Sequence, residues 1–405
     1  MKILMLAPEP FFEARGTPYS ILGRLKALTE LGHVIDLVTY HVGEDVAIPN
    51  VTIHRIRRIP FINRVEIGPS LKKLFLDVLL FIKAVGLLRR KSYDLIHSHE
   101  ESGFFGVFLA KQFRIRHLYD MHSSLPEQLT NFNYTHSRWI IKLFKFLELR
   151  TIRLSDAIIT ICPALFDYVK QIHPRARVAM IENLSTAADP MTVREEEVLR
   201  IKNHYSIDGK RVIFYAGTLE SYQGIDLLIN AAERILKNRQ DVMFLIAGGQ
   251  PRQVQAYQKR VRDLGMETNF LLLGLRPPNE IAPALRLSHV LVSPRIKGTN
   301  TPSKIYAYLQ SGKPIVATNI YTHTQVLDAT SAILVDPDTD SLARGILSLL
   351  ENPILAESLG VGGRQLFESR YAYESFLQRT ERVLEMAVGT RSAAVAEWDL
   401  SIAPK

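Results

Sequence analysis

Short apolar runs alternate with stretches in which apolar positions recur every three to four residues, and the alternation continues along nearly the whole chain. A short apolar run bounded by turn residues reads as a strand buried on both faces, and the helical recurrence as a helix laid against it. In the first half the runs fall at 2–7, 34–40, 51–55, 95–98, 116–120, 157–161 and 178–181, with helical patterns at 18–31, 70–90 and 138–154. The stretch 185–210 changes character: it carries Glu195-Glu196-Glu197 and little apolar periodicity, which places a domain junction near residue 185. A second alternation follows, with runs at 212–216, 242–247, 270–273, 290–293, 315–318 and 332–335 and helical patterns at 224–236, 302–311 and 341–351. Repetition of this kind predicts an α/β chain with parallel sheets. Two such halves imply two Rossmann-like, doubly wound domains facing across a cleft, with ligands at the carboxyl ends of the strands. The expected organisation is 1–185, 186–370, a C-terminal helix within 371–390 packing back on the first domain, and a weakly patterned tail at 391–405.

Composition adds three constraints. Cys162 is the one cysteine among 405 residues, so no internal disulfide is possible; this fits a reducing, cytoplasmic compartment and a buried, small apolar role for the thiol. The N-terminal apolar run ends at Pro8 and reads as a first strand, not a signal peptide. No segment offers about 18 uninterrupted apolar residues; the nearest, 74–88, follows Lys72 and Lys73 and is broken by Asp77 and Lys83.

The net charge is +9, and residues 51–150 carry 17 Lys and Arg against 8 Asp and Glu, so the excess is concentrated there. Such a region either meets an anionic partner or is a solvated basic face. Two helical patterns within it, 70–90 and 138–150, are both basic and apolar, with Trp139 among the apolar positions. They suit docking on an anionic membrane surface at the inner face, or apolar packing on the first sheet. No nucleic-acid module is recognisable, and nucleic acid is not an expected partner.

The densest chemistry lies between Ser293 and Thr318, which reads strand, loop, helix, tight turn, strand. Thr301 suits an N-cap and Pro302 a first helical residue. The backbone N–H groups of Ser303 and Lys304 would then point out of a helix start, a ready site for phosphate. Arg295, Lys297 and Lys304 add cations, and Gly298 permits close backbone approach. Asp336-Pro-Asp338 reads as a surface turn after a strand. His97, His99 and Glu100 lack distant partners that would make a metal site, and none is expected. No Gly-x-Gly-x-x-Gly follows the first strand of either half, which excludes a dinucleotide oxidoreductase; Gly360-Val-Gly-Gly363 lies in a helical context.

This stretch, with Gly312-Lys313-Pro314 after the helix, resembles the donor-binding segment of the GT-B retaining glycosyltransferases called family 4. Other segments agree in order: Arg15-Gly16-Thr17-Pro18 before a helix, Gly32-His33-Val34, Asp94-Leu-Ile-His-Ser-His99, Tyr119-Asp-Met-His122, Tyr215-Ala-Gly-Thr-Leu-Glu220 with Gly224-Ile-Asp226, and Phe244-Leu-Ile-Ala-Gly-Gly249. The resemblance spans roughly residues 1–385. It implies sugar transfer with retention and without a metal or cofactor, from a UDP- or GDP-sugar to a polysaccharide, lipid-linked or other glycan acceptor. It implies His122 as the catalytic-site residue. Gly16, Thr17, Gly217, Thr218, Glu220, Arg295, Asn300, Thr301, Pro302, Ser303 and Lys304 form the implied donor-binding set.

The chain departs from the family at four positions. Thr299 and Ala307 stand where two glutamates are usual, the second of which holds the nucleotide ribose. Thr218 and Gln223 stand where an Arg and a Lys usually meet the diphosphate. Arg295 and Lys304 are the cations left to take that role. A non-catalytic GT-B subunit and a nucleotide-sugar epimerase remain as alternatives.

Overall fold

The computed structural model describes residues 1–13, 16–65, 68, 70–126, 129, 137–183 and 189–389, with the backbone alone at 278–279. Arg15, the junction expected near residue 185 and the tail from 390 lie outside the described residues. The chain forms two compact units, Met1–Asn183 with the segment from Tyr373, and Leu184–Ala372.

In the first unit the order is β1 (Lys2–Ala7), α1 (Gly16–Glu30), β2 (Val34–Thr39), β3 (Val51–Arg55), α2 (Leu71–Leu88), β4 (Leu95–His99), α3 (Ser102–Phe113), β5 (Arg116–Met121), α4 (Arg138–Leu154), β6 (Ala157–Thr160), α5 (Pro163–Ile172) and β7 (Val178–Met180). The strands make one sheet ordered β3-β2-β1-β4-β5-β6-β7, and every pairing is parallel. β1 and β4 to β6 are buried along nearly their whole length, as a sheet covered on both faces requires, although β4 and β5 carry polar residues among the apolar ones.

The second unit runs α6 (Glu195–His204), β8 (Arg211–Ala216), α7 (Ile225–Asn238), β9 (Val242–Ala247), α8 (Pro251–Asp263), β10 (Phe270–Gly274), α9 (Pro278–Leu287), β11 (Val290–Ser293), α10 (Lys304–Ser311), β12 (Ile315–Thr318), α11 (Tyr321–Thr324), β13 (Ile333–Val335), α12 (Thr339–Glu351) and α13 (Pro353–Arg370). Its sheet is parallel in the order β10-β9-β8-β11-β12-β13. The last helix, α14 (Tyr373–Val388), belongs to the first unit, where it packs against α1 and the β5–β7 side of the sheet.

Several local expectations change. The charged run at 195–197 opens α6 and is not an irregular linker: its three glutamates occupy the first turn, where the helix dipole favours anions. The helix expected from Pro302 begins at Lys304, and Ser303 rather than Thr301 is its N-cap. The Thr301 hydroxyl is buried without a hydrogen-bond partner, so it caps nothing. Gly16 and Thr17 lie inside the first turn of α1 and not in a loop before it. Gly360-Val-Gly-Gly363 is inside α13, where a Cβ on Gly360 would stand 2.2 Å from the Gly312 carbonyl oxygen. The glycine lets the helix lie on the turn after α10. Asp338 is the N-cap of α12, accepting from the Ser341 N–H at 2.8 Å, which accounts for the Asp336-Pro-Asp338 turn. Among the described residues no helix is long and apolar enough to cross a membrane.

Candidate functional site

In each sheet the strand order reverses at one point, between β1 and β4 in the first unit and between β8 and β11 in the second. Crossovers leave that point to opposite sides, so the carboxyl ends of those strands open a crevice where ligands bind. The site residues expected from sequence gather at the two points, one set in each unit.

In the second unit the segment 217–224 follows β8 and the segment 294–303 follows β11. They are joined closely: the Ile296 N–H donates to the Tyr222 carbonyl at 2.9 Å, and a Cβ on Gly224 (φ 75°) would meet the Pro294 carbonyl oxygen at 1.8 Å. Lys304 rises from the start of α10 into this junction. Its Nζ donates to Gln223 Oε1 at 3.2 Å and stands 3.7 Å from the centre of the Tyr215 ring. Gly217 leaves the space Lys304 needs, since a Cβ there would be 2.7 Å from Nζ. Arg295 lies over the Tyr222 ring and is fixed by its Nε on the Lys297 carbonyl at 2.7 Å and its Nη1 on the Asn300 carbonyl at 3.0 Å. Gly298 therefore makes room for the Arg295 guanidinium, which a Cβ would meet at 2.2 Å.

Behind this loop His323, buried, bridges the Ser293 hydroxyl at 2.8 Å and the Thr318 carbonyl at 2.8 Å, while the Thr318 hydroxyl donates to the Arg295 carbonyl. Gln325 holds the Thr299 carbonyl at 2.7 Å. Glu220 is exposed and accepts from Gln253 at 3.0 Å.

No carboxylate pairs with Lys304 or Arg295 among the described residues. Burial, and then repulsion from Arg295, hold the Lys304 ammonium well below the usual lysine range. Two basic side chains together, partly out of water and without a carboxylate partner among the described residues, are chemically complementary to an anionic group.

The first unit carries a different chemistry. β4 and β5 pair with His99 opposite Asp120, and alternation puts His97, His99, Asp120 and His122 on one face. Asp120 is fully buried: Arg24 Nε of α1 donates to it at 3.0 Å, His97 Nε2 is 3.4 Å away and His122 Nε2 3.3 Å away. His99 Nδ1 and His122 Nε2 are 3.1 Å apart. Phe376 of α14 lies under the Arg24 guanidinium and closes the group off.

Burial raises the Asp120 carboxyl, but Arg24 and the histidines outweigh it and hold it well below the carboxylate range. Burial holds His97, His99 and His122 down, against the pull of Asp120. The group is thus one carboxylate and one guanidinium among neutral imidazoles. His97, His99 and Asp120 come within 4.8 Å of one another, a spacing an ion could bridge. Arg24 already neutralises the carboxylate, and a divalent ion would add uncompensated charge to a closed interior.

A second polar group lies beside it. Glu100, at φ 49°, accepts from the Ser123 hydroxyl at 2.8 Å, and burial with the Glu101 charge pushes its carboxyl up to about 8. Lys73 bridges Glu101 at 2.7 Å and Glu9 at 3.5 Å. Among the described residues nothing lies within 4 Å of the Cβ position of Gly16.

His117, behind these on β5, is bonded through both ring nitrogens, to Ser98 at 2.6 Å and Ser155 at 3.0 Å, and burial pushes it down to about 3. Four buried histidines held below their ordinary 6.5 mean that the unfolded chain protonates first as pH falls. Stability is then lost from about pH 6.5 downward, at up to ~1.4 kcal/mol per pH unit for each histidine. Amide hydrogen exchange of β4 and β5 at pH 7 and pH 5, corrected for intrinsic rates, should show protection falling in this sheet more than in the second. Equal changes in both sheets would count against it.

Sequence motifs gave roles to His122, Arg295 and Lys304; they contained Asp120, Tyr215 and Gln223 without showing what these hold, and Arg24 and His323 lay outside them. For Arg24 a signal existed: it shares the apolar stripe of α1 with Ile21, Leu25 and Leu28.

The comparisons agree with this architecture. Two family models match adjacent halves of the chain: Glycosyltransferase Family 4 over residues 15–184 and Glycosyl transferases group 1 over residues 199–366. An uncharacterized glycosyltransferase of Methanocaldococcus jannaschii is 22% identical over 405 residues, covering 96% of this chain and 99% of the relative. A GDP-mannose-dependent alpha-(1-6)-phosphatidylinositol monomannoside mannosyltransferase of Mycolicibacterium smegmatis is 26% identical over 207 residues, covering 49% of this chain and 53% of its own. The solved structure of Anabaena HepE in complex with UDP superposes with a TM-score of 0.72 at 17% identity, covering 95% of this chain and 100% of that one. With two parallel-sheet Rossmann-like units and both glycosyltransferase halves in order, the chain belongs to the family 4-like glycosyltransferases of the GT-B fold.

Proposed function

We propose that this glycosyltransferase takes a UDP- or GDP-sugar and transfers the sugar with retention, without a metal or cofactor, to a glycan or lipid-linked acceptor. The observation that carries the donor site is the pair Lys304 and Arg295, two cations without a carboxylate at the switch point of the second unit. In the transfer, the bond between the anomeric carbon and the diphosphate oxygen breaks as the acceptor oxygen bonds to the same face of that carbon. The acceptor proton leaves with the diphosphate. Negative charge grows on the leaving group, and fixed cations and backbone N–H groups stabilise it there.

In this reading residues 186–370 bind the donor through Gly217, Thr218, Glu220, Arg295, Asn300, Pro302, Ser303 and Lys304. Thr301 is retained for its unbonded hydroxyl and not as a cap. Residues 1–185 supply the acceptor side, with His122 at the reacting sugar and Gly16 and Thr17 at the start of α1, where open space above Gly16 admits a ligand. Relatives that use GDP-mannose and structures that hold UDP support a nucleotide-sugar donor and leave both bases in play.

The test is a thermal-shift series with UDP, GDP, ADP and dTDP, each with magnesium and with EDTA. A shift with one nucleotide that survives EDTA is expected, and proton NMR of the sugar released to water should show the donor's anomer first. The absence of a shift with every nucleotide would overturn the donor-site assignment. It would favour a non-catalytic subunit, the reading that Thr299 and Ala307 in place of the usual glutamates support.

A further inference from the structure

Helices α2, α3 and α4 pack side by side on one layer of the first unit. Phe81 of α2 meets Phe105 and Phe108 of α3, and Phe104 of α3 meets Phe144 of α4. α2 buries an apolar stripe, Leu76, Leu80 and Ala84, against the sheet, and α3 packs on β4 and β5, whereas α4 rests mainly on α3 and α5. A helix at a water-facing surface should be polar on its other side. These are not: Leu71, Phe75, Val78 and Ile82 recur at helical spacing on the outer side of α2, and Trp139, Leu143 and Phe146 do the same on α4. Phe108 of α3 stands between them, 56% exposed, and Trp139 is 84% exposed.

The charges on this layer are of one sign. Lys72, Lys83, Lys111, Arg138, Lys142, Lys145, Arg150 and Arg153 belong to the three helices, whereas their two acids are turned inward. Asp77 is bonded to the Tyr40 hydroxyl, and Glu148 is buried on Ser124 and Tyr168. The outer side of the three helices is thus both apolar and basic.

We propose that the outer face of α2, α3 and α4 docks on an anionic lipid bilayer, with Phe75, Ile82, Phe108, Trp139 and Phe146 entering the headgroup and acyl boundary and the lysines and arginines meeting lipid phosphates. Apolar insertion combined with cationic attraction is what binds a helical face in the plane of a membrane. A protein partner would be expected to supply acids to an apolar patch of this kind, whereas an anionic bilayer supplies both complements at once over a flat area. The inference stands on the surface of the first unit and does not depend on the donor-site reading, although a bilayer dock would suit a lipid-linked acceptor.

The experiment is flotation of the full chain with vesicles of phosphatidylcholine alone and of phosphatidylcholine with phosphatidylglycerol. Wild type should float with the anionic vesicles, little with the neutral ones, and less as salt is raised. The variant Phe75→Ser, Ile82→Ser, Trp139→Ser, Phe146→Ser should bind at least roughly tenfold more weakly, as should Lys142→Glu, Lys145→Glu. All six side chains are largely exposed, so folding, followed by circular dichroism, should be kept. Nucleotide shifts on the same samples separate a failure of docking from a failure of the donor site. Absence of flotation at low salt overturns the proposal. So does unchanged flotation in the serine variant, or a light-scattering mass showing a stable dimer that the serine variant dissociates.

Discussion

Lys304→Met should raise the melting temperature of the ligand-free protein while removing its response to nucleotide diphosphates. The two signs follow from one fact: the ammonium is desolvated beside Arg295, with Gln223 and the Tyr215 face as its partners and no carboxylate. Methionine keeps the length of the stem, restores an apolar group to an apolar slot and relieves the repulsion. A residue kept against its stability cost is kept for function. The loss of a charge aimed at a leaving diphosphate should cut transfer by roughly 100- to 1,000-fold. Lys304→Arg should not restore it, because Gly217 leaves room for the existing Nζ and little beyond it.

The pH dependence has a definite direction. Free Lys304 is held below the usual lysine range, and a bound diphosphate would raise it, so binding takes up a proton and affinity falls as pH rises. Thermal shift and isothermal titration on wild type and Lys304→Met test this together. A lower melting temperature in the variant with nucleotide binding intact would make Lys304 a structural residue and remove the basis of the donor site.

Most strands were readable because their apolar runs belong to sheets covered on both faces, where nearly every position of the central strands is dry. Helices with a strong apolar stripe were readable for the same reason. α6 has another character: it opens on three glutamates with little apolar periodicity behind them, and its helix was not marked. The error at Thr301 is instructive. Thr-Pro has the composition of a cap and first turn, but the loop after β11 is bound from behind by Thr318 and Gln325, and that tertiary contact delays the helix to Lys304.

The cations of the second unit were legible as a cluster in sequence, separated by nine positions or fewer. The group around Asp120 in the first unit was not. It is assembled by the register of β4 on β5 and by Arg24 reaching Asp120 from α1, and no local pattern encodes which arginine meets which aspartate. The same holds for the basic apolar face: two segments far apart in sequence are joined by α3, which meets Phe81 of α2 through Phe105 and Phe108 and Phe144 of α4 through Phe104, and which has no charge pattern to mark it.

Asp120→Asn is the substitution expected to damage the first unit most. It keeps the shape of the side chain and removes the carboxylate that Arg24 bonds, leaving the buried guanidinium without its ion-pair partner. Breaking a buried pair from one side costs about 3–5 kcal/mol, whereas replacing both partners with neutral groups costs far less. Arg24→Gln should therefore be comparably harmful alone. The double variant Arg24→Gln, Asp120→Asn should be more stable than the sum of the two losses allows, with an interaction of about 1–3 kcal/mol.

Hydrogen exchange of the β4 and β5 amides reads the first unit directly, without the assumption that both units unfold together. Because Asp120 also stands 3.3 Å from His122 Nε2, the double variant separates two roles. It recovers the fold but not the carboxylate that orients the imidazole, so transfer should stay impaired where exchange protection has returned. If activity returned with stability, Asp120 would serve the fold alone. If the losses simply added, the Arg24 pair would not be what holds this sheet to α1.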